Sequence, residues 1–179
     1  MISTINFINR LKTEKLLCFG VGIPQYFYDK LTYSDKKIGI DQYDTSEYPR
    51  LWSGATKRED IKKSVSKGKY DTIVINDSKH IVNLEAYFKK ACKLLSEGGK
   101  IVLTHSLPNR QNLITKDYKP HQIWCGDVWE FILSIKSKGG YKIESFEIDY
   151  GVTVVTIDDK VKPQDIEIGA FEDWYFERK

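Results

Sequence analysis

The residues with chemistry to offer stand at the ends of apolar runs. The run KLLCF, residues 15–19, leads into Gly20-Val21-Gly22, with a helical stretch to follow. Bare glycine backbone ahead of a helix N-terminus can approach and hold a polar or anionic group, as in the opening of a nucleotide-binding strand–turn–helix unit. The run KIGI ends in Asp41, whose carboxylate can accept both hydrogen bonds of a ribose diol or simply cap its loop. YDTIVI ends in Asn76-Asp77, able to face a ligand or to close an Asx turn. Gly54-Ala55-Thr56 can offer backbone groups to a ring edge or serve as a helix-capping turn. KIVL ends in Thr104-His105, and a histidine there is either a proton acceptor or a ring satisfied by loop backbone.

Residues 105–124, HSLPNRQNLITKDYKPHQIW, make a long polar stretch. Loops of that length inside a compact domain are usually lids or binding loops. Arg110, Tyr118, His121 and Trp124, with Lys116 and Lys119, suit a polar or anionic small molecule with aromatic stacking for a sugar or ring. The plainer reading is a solvated loop anchored by Trp124. His80, which can cap the next helix or line a cleft, completes the three histidines. Their spacing and that of Cys125 match no zinc pattern, so no metal is expected.

The elements that must position these groups alternate. Residues 1–14 read as a short amphipathic helix with Ile5, Ile8 and Leu11 on one face and Ser3 or Thr4 as cap. Strands are expected at 15–19, 37–41, 70–75 and 100–103, with a short one near 50–52. Helices are expected at 24–33, at 57–66 with a Thr56/Glu59 capping box, at 80–96 ended by Gly98-Gly99, and at 126–138 ended by Gly139-Gly140. Two closing strands, 142–148 and 152–157, flank Gly151 as an antiparallel hairpin. The tail, 158–179, carries Phe171, Trp174, Tyr175 and Phe176, which permit packing back or self-association. Strands separated by helices imply an α/β fold with a mostly parallel sheet covered on both faces.

With 179 residues the chain suits one domain: an N-terminal helix over 1–14, a core over 15–157 and a tail over 158–179. A net charge of +3 with mixed signs, and no N/D-P-P-Y/F motif, argue against nucleic acid as the partner. The cysteines, Cys18, Cys92 and Cys125, are odd in number and widely spaced, and the first two lie in apolar patterns as buried thiols. That argues against a disulfide framework or a zinc ribbon and for a reducing compartment. The N-terminus lacks a signal-peptide core, and no run reaches the ~20 apolar residues that cross a bilayer, so a cytoplasmic protein is expected.

Over residues 15–157 the order KLLCFGVG, KIGID, WSGATKRED, YDTIVINDSKH, LLSEGGKIVL, GDVWEFI and DYGVTVV resembles the class I S-adenosylmethionine-dependent methyltransferases. More narrowly it is similar to small bacterial methyltransferase-domain proteins associated with surface-polysaccharide genes. The resemblance implies a Rossmann-like, mostly parallel seven-stranded sheet with an antiparallel C-terminal hairpin. It implies S-adenosylmethionine as cofactor, held by Gly20, Gly22, Asp41, Gly54, Ala55, Asn76 and Asp77. It implies methyl transfer to an oxygen of a sugar or other small polar acceptor, with His105 as base and Arg110, Tyr118, His121 and Trp124 on the acceptor.

Two departures stand against that pattern. Cys18 occupies the position, two before the first glycine, where the family usually has an acid that holds the methionine portion, and a thiol is a poor acceptor. His105 and Asn76 (or, with a one-residue slip, Asp77) stand where metal-using relatives place carboxylates, and with Asn and His there a hard-cation site is not expected. The competing reading is a chain that keeps the fold and has lost the transfer, serving as a cofactor-binding or interaction module.

Overall fold

The computed structural model describes residues 3–20, 26–40, 61–62, 65–76, 84–109, 113–114 and 125–166. In chain order these form α1 (Thr4–Asn9), β1 (Lys15–Phe19), α2 (Tyr26–Asp29), β2 (Lys36–Ile40), β3 (Ile61–Lys62), β4 (Tyr70–Ile75), α3 (Leu84–Leu94), β5 (Leu95–Thr104), α4 (Val128–Lys138), β6 (Tyr141–Phe146) and β7 (Val152–Ile157). The strands make one sheet in the order β3-β2-β1-β4-β5-β7-β6. β1 through β5 pair in parallel, and β7 runs antiparallel to both β5 and β6.

The near-continuous apolar runs have a simple cause: the central strands are buried on both faces. Successive side chains of a strand point to opposite faces, so each run feeds two cores. Leu17 and Phe19, with Ile73, Ile75, Ile101 and Leu103, pack against Leu84, Phe88 and Ala91 of α3 and Val128, Ile132 and Ile135 of α4. Leu16, Cys18, Val74, Val102 and Val154 face the other way, onto Ile8 of α1 and Tyr28 of α2. Full burial of such a side chain contributes roughly 1.5–3 kcal/mol, so each face is held by many comparable increments. The outer flank of α4 carries Trp129 and Leu133, covered by Ile114 and by Ile166 of the segment after β7.

α1 begins on Ser3, whose Oγ accepts from the Asn6 N–H at 3.3 Å. Its first turn is also tied to the closing hairpin. The Asp149 carboxylate accepts from the Thr4 N–H at 2.8 Å and from the Thr4 hydroxyl at 2.6 Å. A carboxylate at a helix N-terminus satisfies donors that the helix itself leaves unpaired.

Several expected boundaries move. The helix expected over 57–66 is not what Ile61–Lys62 form: they add a parallel strand to β2, with Gly39 opposite Ile61 and Ile40 opposite Lys62. Sheet pairing supplies the open side of β2 with partners, and this overrides a local capping signal. The strand expected near 50–52 and the tail aromatics lie outside the described residues. The N-terminal helix is shorter than 1–14, since Lys12 takes a left-handed φ of 52° just beyond the cap at Arg10. α3 stops at Leu94, so Gly98-Gly99 do not end it. Instead β5 starts at once: Leu95 pairs with Tyr70, the ladder resumes at Lys100 opposite Thr72, and the glycines lie in the irregularity between, Gly98 at φ +70°. Cys18 is buried as expected, whereas Cys92 is half-buried, and that burial pushes its thiol pKa up.

The turn between β6 and β7 is pressed against the chain leaving β5. The Ser106 N–H donates to the Gly151 carbonyl at 3.3 Å and the Leu107 N–H to the Tyr150 carbonyl at 3.0 Å. Gly151 sits at φ +94°, and a Cβ there would lie 2.3 Å from the Leu107 nitrogen. Gly151→Ala should therefore cost roughly 2–4 kcal/mol of stability through backbone strain and overpacking. Urea denaturation checks this, and an unchanged midpoint would show that the two segments are not so tightly apposed.

Candidate active site

The sheet order reverses at β1, which has β2 on one side and β4 on the other. In open α/β sheets the ligand crevice lies beyond the carboxyl ends of the strands at such a switch point. Four strand ends meet there, and hydrogen bonds tie each to the next. Gly20, at φ +78°, donates its N–H to the Ile40 carbonyl of β2 at 2.9 Å. Asn76, just past β4, donates its N–H to the Phe19 carbonyl of β1 at 2.9 Å. Thr104, the last residue of β5, donates its hydroxyl proton to the Asn76 main-chain carbonyl at 2.5 Å and lies 3.3 Å from Asn76 Oδ1. His105 comes next, half-buried, with Nδ1 3.1 Å from Thr104 Oγ1.

Of the residues singled out in the sequence, Gly20, Asn76 and His105 are thus brought to one edge. Asp41 follows Ile40 directly in the chain but lies outside the described residues, as do Gly22, Gly54, Ala55, Asp77, Arg110, Tyr118, His121 and Trp124. Among the described residues, no three His, Cys, Asp or Glu side chains gather where they could hold a metal ion.

Cys18 has a definite place. Its side chain is fully buried on the α1/α2 face of the sheet, with Tyr28 and Val74 in the same core. Its thiol donates to the Gly20 carbonyl at 3.4 Å. The side chain is thus directed at the glycine turn from below, as a weak donor rather than as an acceptor for a ligand above. Restoring an acid is expected to fail: Cys18→Asp would put a carboxylate into an apolar core, at a cost of roughly 3–5 kcal/mol if it stays ionised. Urea denaturation measures that loss. Unaltered stability in the aspartate variant would mean that position 18 opens into the cleft.

Two partners of His105 were not apparent from sequence. Thr104 is the hydrogen-bonding hub of the edge, and the strand register that puts Ile75 beside Leu103 already places Asn76 next to it. Tyr150, from the β6–β7 turn, lies parallel to the imidazole, with ring centroids 6.2 Å apart and planes within 5°. His105 itself adopts a left-handed φ of 55°. A non-glycine residue held there costs of order 1–3 kcal/mol and persists only where its surroundings fix it, a pattern common at functional sites.

Neither a family model nor a curated protein sequence matches the chain. Solved structures do resemble it. A methyltransferase of Podospora anserina with S-adenosylhomocysteine bound superposes with a TM-score of 0.58 at 17% identity, covering 87% of this chain and 76% of that one. An O-methyltransferase of Bacillus cereus, also in complex with S-adenosylhomocysteine, gives 0.51 at 13% identity over 85% and 77%. The O-methyltransferase TomG of Streptomyces achromogenes, involved in tomaymycin synthesis and in complex with S-adenosylmethionine, gives 0.51 at 12% over 84% and 76%. The fold is therefore the Rossmann-like fold of the class I S-adenosylmethionine-dependent methyltransferases.

Proposed function

We propose that the chain is an S-adenosylmethionine-dependent methyltransferase that methylates an oxygen of a small polar acceptor. The observation that carries this is the linked edge itself: a left-handed glycine turn at the switch point, bonded to the strand that runs into Asp41 and flanked by Asn76 and His105. Those residues fit the cofactor. Gly20 brings backbone without a side chain to the crevice, Asp41 follows in sequence a strand whose end can present a carboxylate to a ribose diol, and Asn76 is bonded to the Phe19 carbonyl next to Gly20. When bound, S-adenosylmethionine supplies an electrophilic methyl group on a sulfonium centre.

The chain's own task is then to hold the acceptor hydroxyl in line with that methyl and to take its proton. His105, past the end of β5 and in contact with Thr104, suits the second task. His105 would take the acceptor's hydroxyl proton onto its imidazole while the bound cofactor would supply the methyl group. A sugar as acceptor is supported by the sequence of residues 105–124, where Arg110, Tyr118, His121 and Trp124 combine charge, hydrogen bonding and ring stacking.

The burial of Cys18 favours a second reading, a protein that binds the cofactor without transferring the methyl group, because position 18 supplies no carboxylate to the methionine portion. Titration calorimetry with S-adenosylhomocysteine tests what the two share: micromolar binding, lost in Asp41→Ala. No heat at millimolar ligand would rule out both. Turnover then separates them, since His105→Ala should lower it ~10²-fold or more with cofactor affinity intact.

A further inference from the structure

We infer that Thr104 and Asn76 set the protonation of His105, so that the neutral imidazole carries its proton on Nδ1 and keeps its basic lone pair on Nε2. A threonine hydroxyl has one proton and two lone pairs. The main-chain carbonyl of Asn76 can only accept, so the 2.5 Å contact to Thr104 Oγ1 requires the hydroxyl proton to lie between the two oxygens. The second oxygen near Thr104, Asn76 Oδ1 at 3.3 Å, draws on the same proton. Toward His105 Nδ1, 3.1 Å away, Thr104 Oγ1 then has only lone pairs to offer. A hydrogen bond across that gap needs its proton from the ring, and the neutral ring becomes the Nδ1–H tautomer. The tautomer of a histidine is set by the hydrogen bond its other nitrogen makes.

The geometry around the ring supports the same fixed state. Thr104 is 1% exposed and Asn76 7% exposed, so bulk water does not readily replace their bond. Tyr150 lies parallel to the imidazole with ring centroids 6.2 Å apart, and its main-chain carbonyl accepts from the Leu107 N–H. Thr104 and Asn76 are positioning residues here: they act through His105 and need not touch an acceptor. As an account of catalysis this rests on the methyltransferase reading, for it names Nε2 as the atom that takes the acceptor's proton. As a statement about the ring it does not.

Nitrogen-15 spectra of the imidazoles in the full chain, recorded where His105 is neutral, read the tautomer directly. The His105 signals are those lost in His105→Ala. The expected result is a dominant Nδ1–H form in the native chain and in Thr104→Ser. In Thr104→Val, which removes the acceptor oxygen but keeps the shape, the balance should shift toward Nε2–H, the form that histidine favours in water. A dominant Nε2–H form in the native chain overturns the inference, as does an Nδ1–H form that persists in Thr104→Val. If Thr104→Val fails to fold, the native and serine spectra decide alone. The readout needs neither cofactor nor acceptor. A chain with the Nδ1–H tautomer that binds no S-adenosylhomocysteine would end the methyltransferase reading and leave this inference standing, and the reverse pair of results would do the opposite.

Discussion

Everything at the carboxyl edge depends on β1 being paired on both sides. A strand bonded to β2 and β4 at once must run through the middle of the sheet, and both of its faces must be apolar. That single constraint explains why residues 16–19 contain no charge, and why the chain can turn polar only at Gly20. It also brings three strand ends to the same level. The Ile40, Phe19 and Asn76 carbonyls each accept from a neighbouring strand's terminal residue, so a shift in one strand would be felt along the whole edge.

The same pairing accounts for the side chain that departs most from expectation. On β1, Leu17 and Phe19 are committed to the α3/α4 core, and alternation leaves position 18 for the α1/α2 core. Cys18 suits that place because a thiol behaves as a small apolar group and still reaches the Gly20 carbonyl. On the far side of the edge, β5 ends in a residue that is polar yet almost fully buried. Thr104 is tolerated because its hydroxyl bridges Asn76 and His105. The edge is thus linked by main-chain bonds at β1 and by a side-chain hydroxyl at β5, and the histidine sits on the side-chain-bonded part.

Much of the architecture was legible in the sequence, because burial on both faces writes unbroken apolar runs that local signals do not contradict. The strands at 15–19, 70–75 and 152–157 are where their runs place them. Where the structure departs, pairing at a distance decides. Ile61–Lys62 are a strand because β2 needs a neighbour, a fact that no window of local sequence contains. Gly98-Gly99 read as a helix stop, and the ladder between β4 and β5 turns them into an irregularity of a strand. At the site, the positions of Gly20, Asn76 and His105 followed from the ends of the runs. The roles of Thr104 and Tyr150 did not, because a hydroxyl's partner and a ring's neighbour depend on register and on how the final hairpin docks.

The central claim is that S-adenosyl ligands occupy this linked edge. Amide spectra of the nitrogen-15-labelled chain, titrated with S-adenosylhomocysteine, address it residue by residue. The account predicts shifts concentrated at Gly20, Asn76 and His105, with Gly68 and Gly140, away from the carboxyl edge, unmoved. Spectra unchanged at saturating ligand, or shifts confined to residues away from that edge, would contradict it.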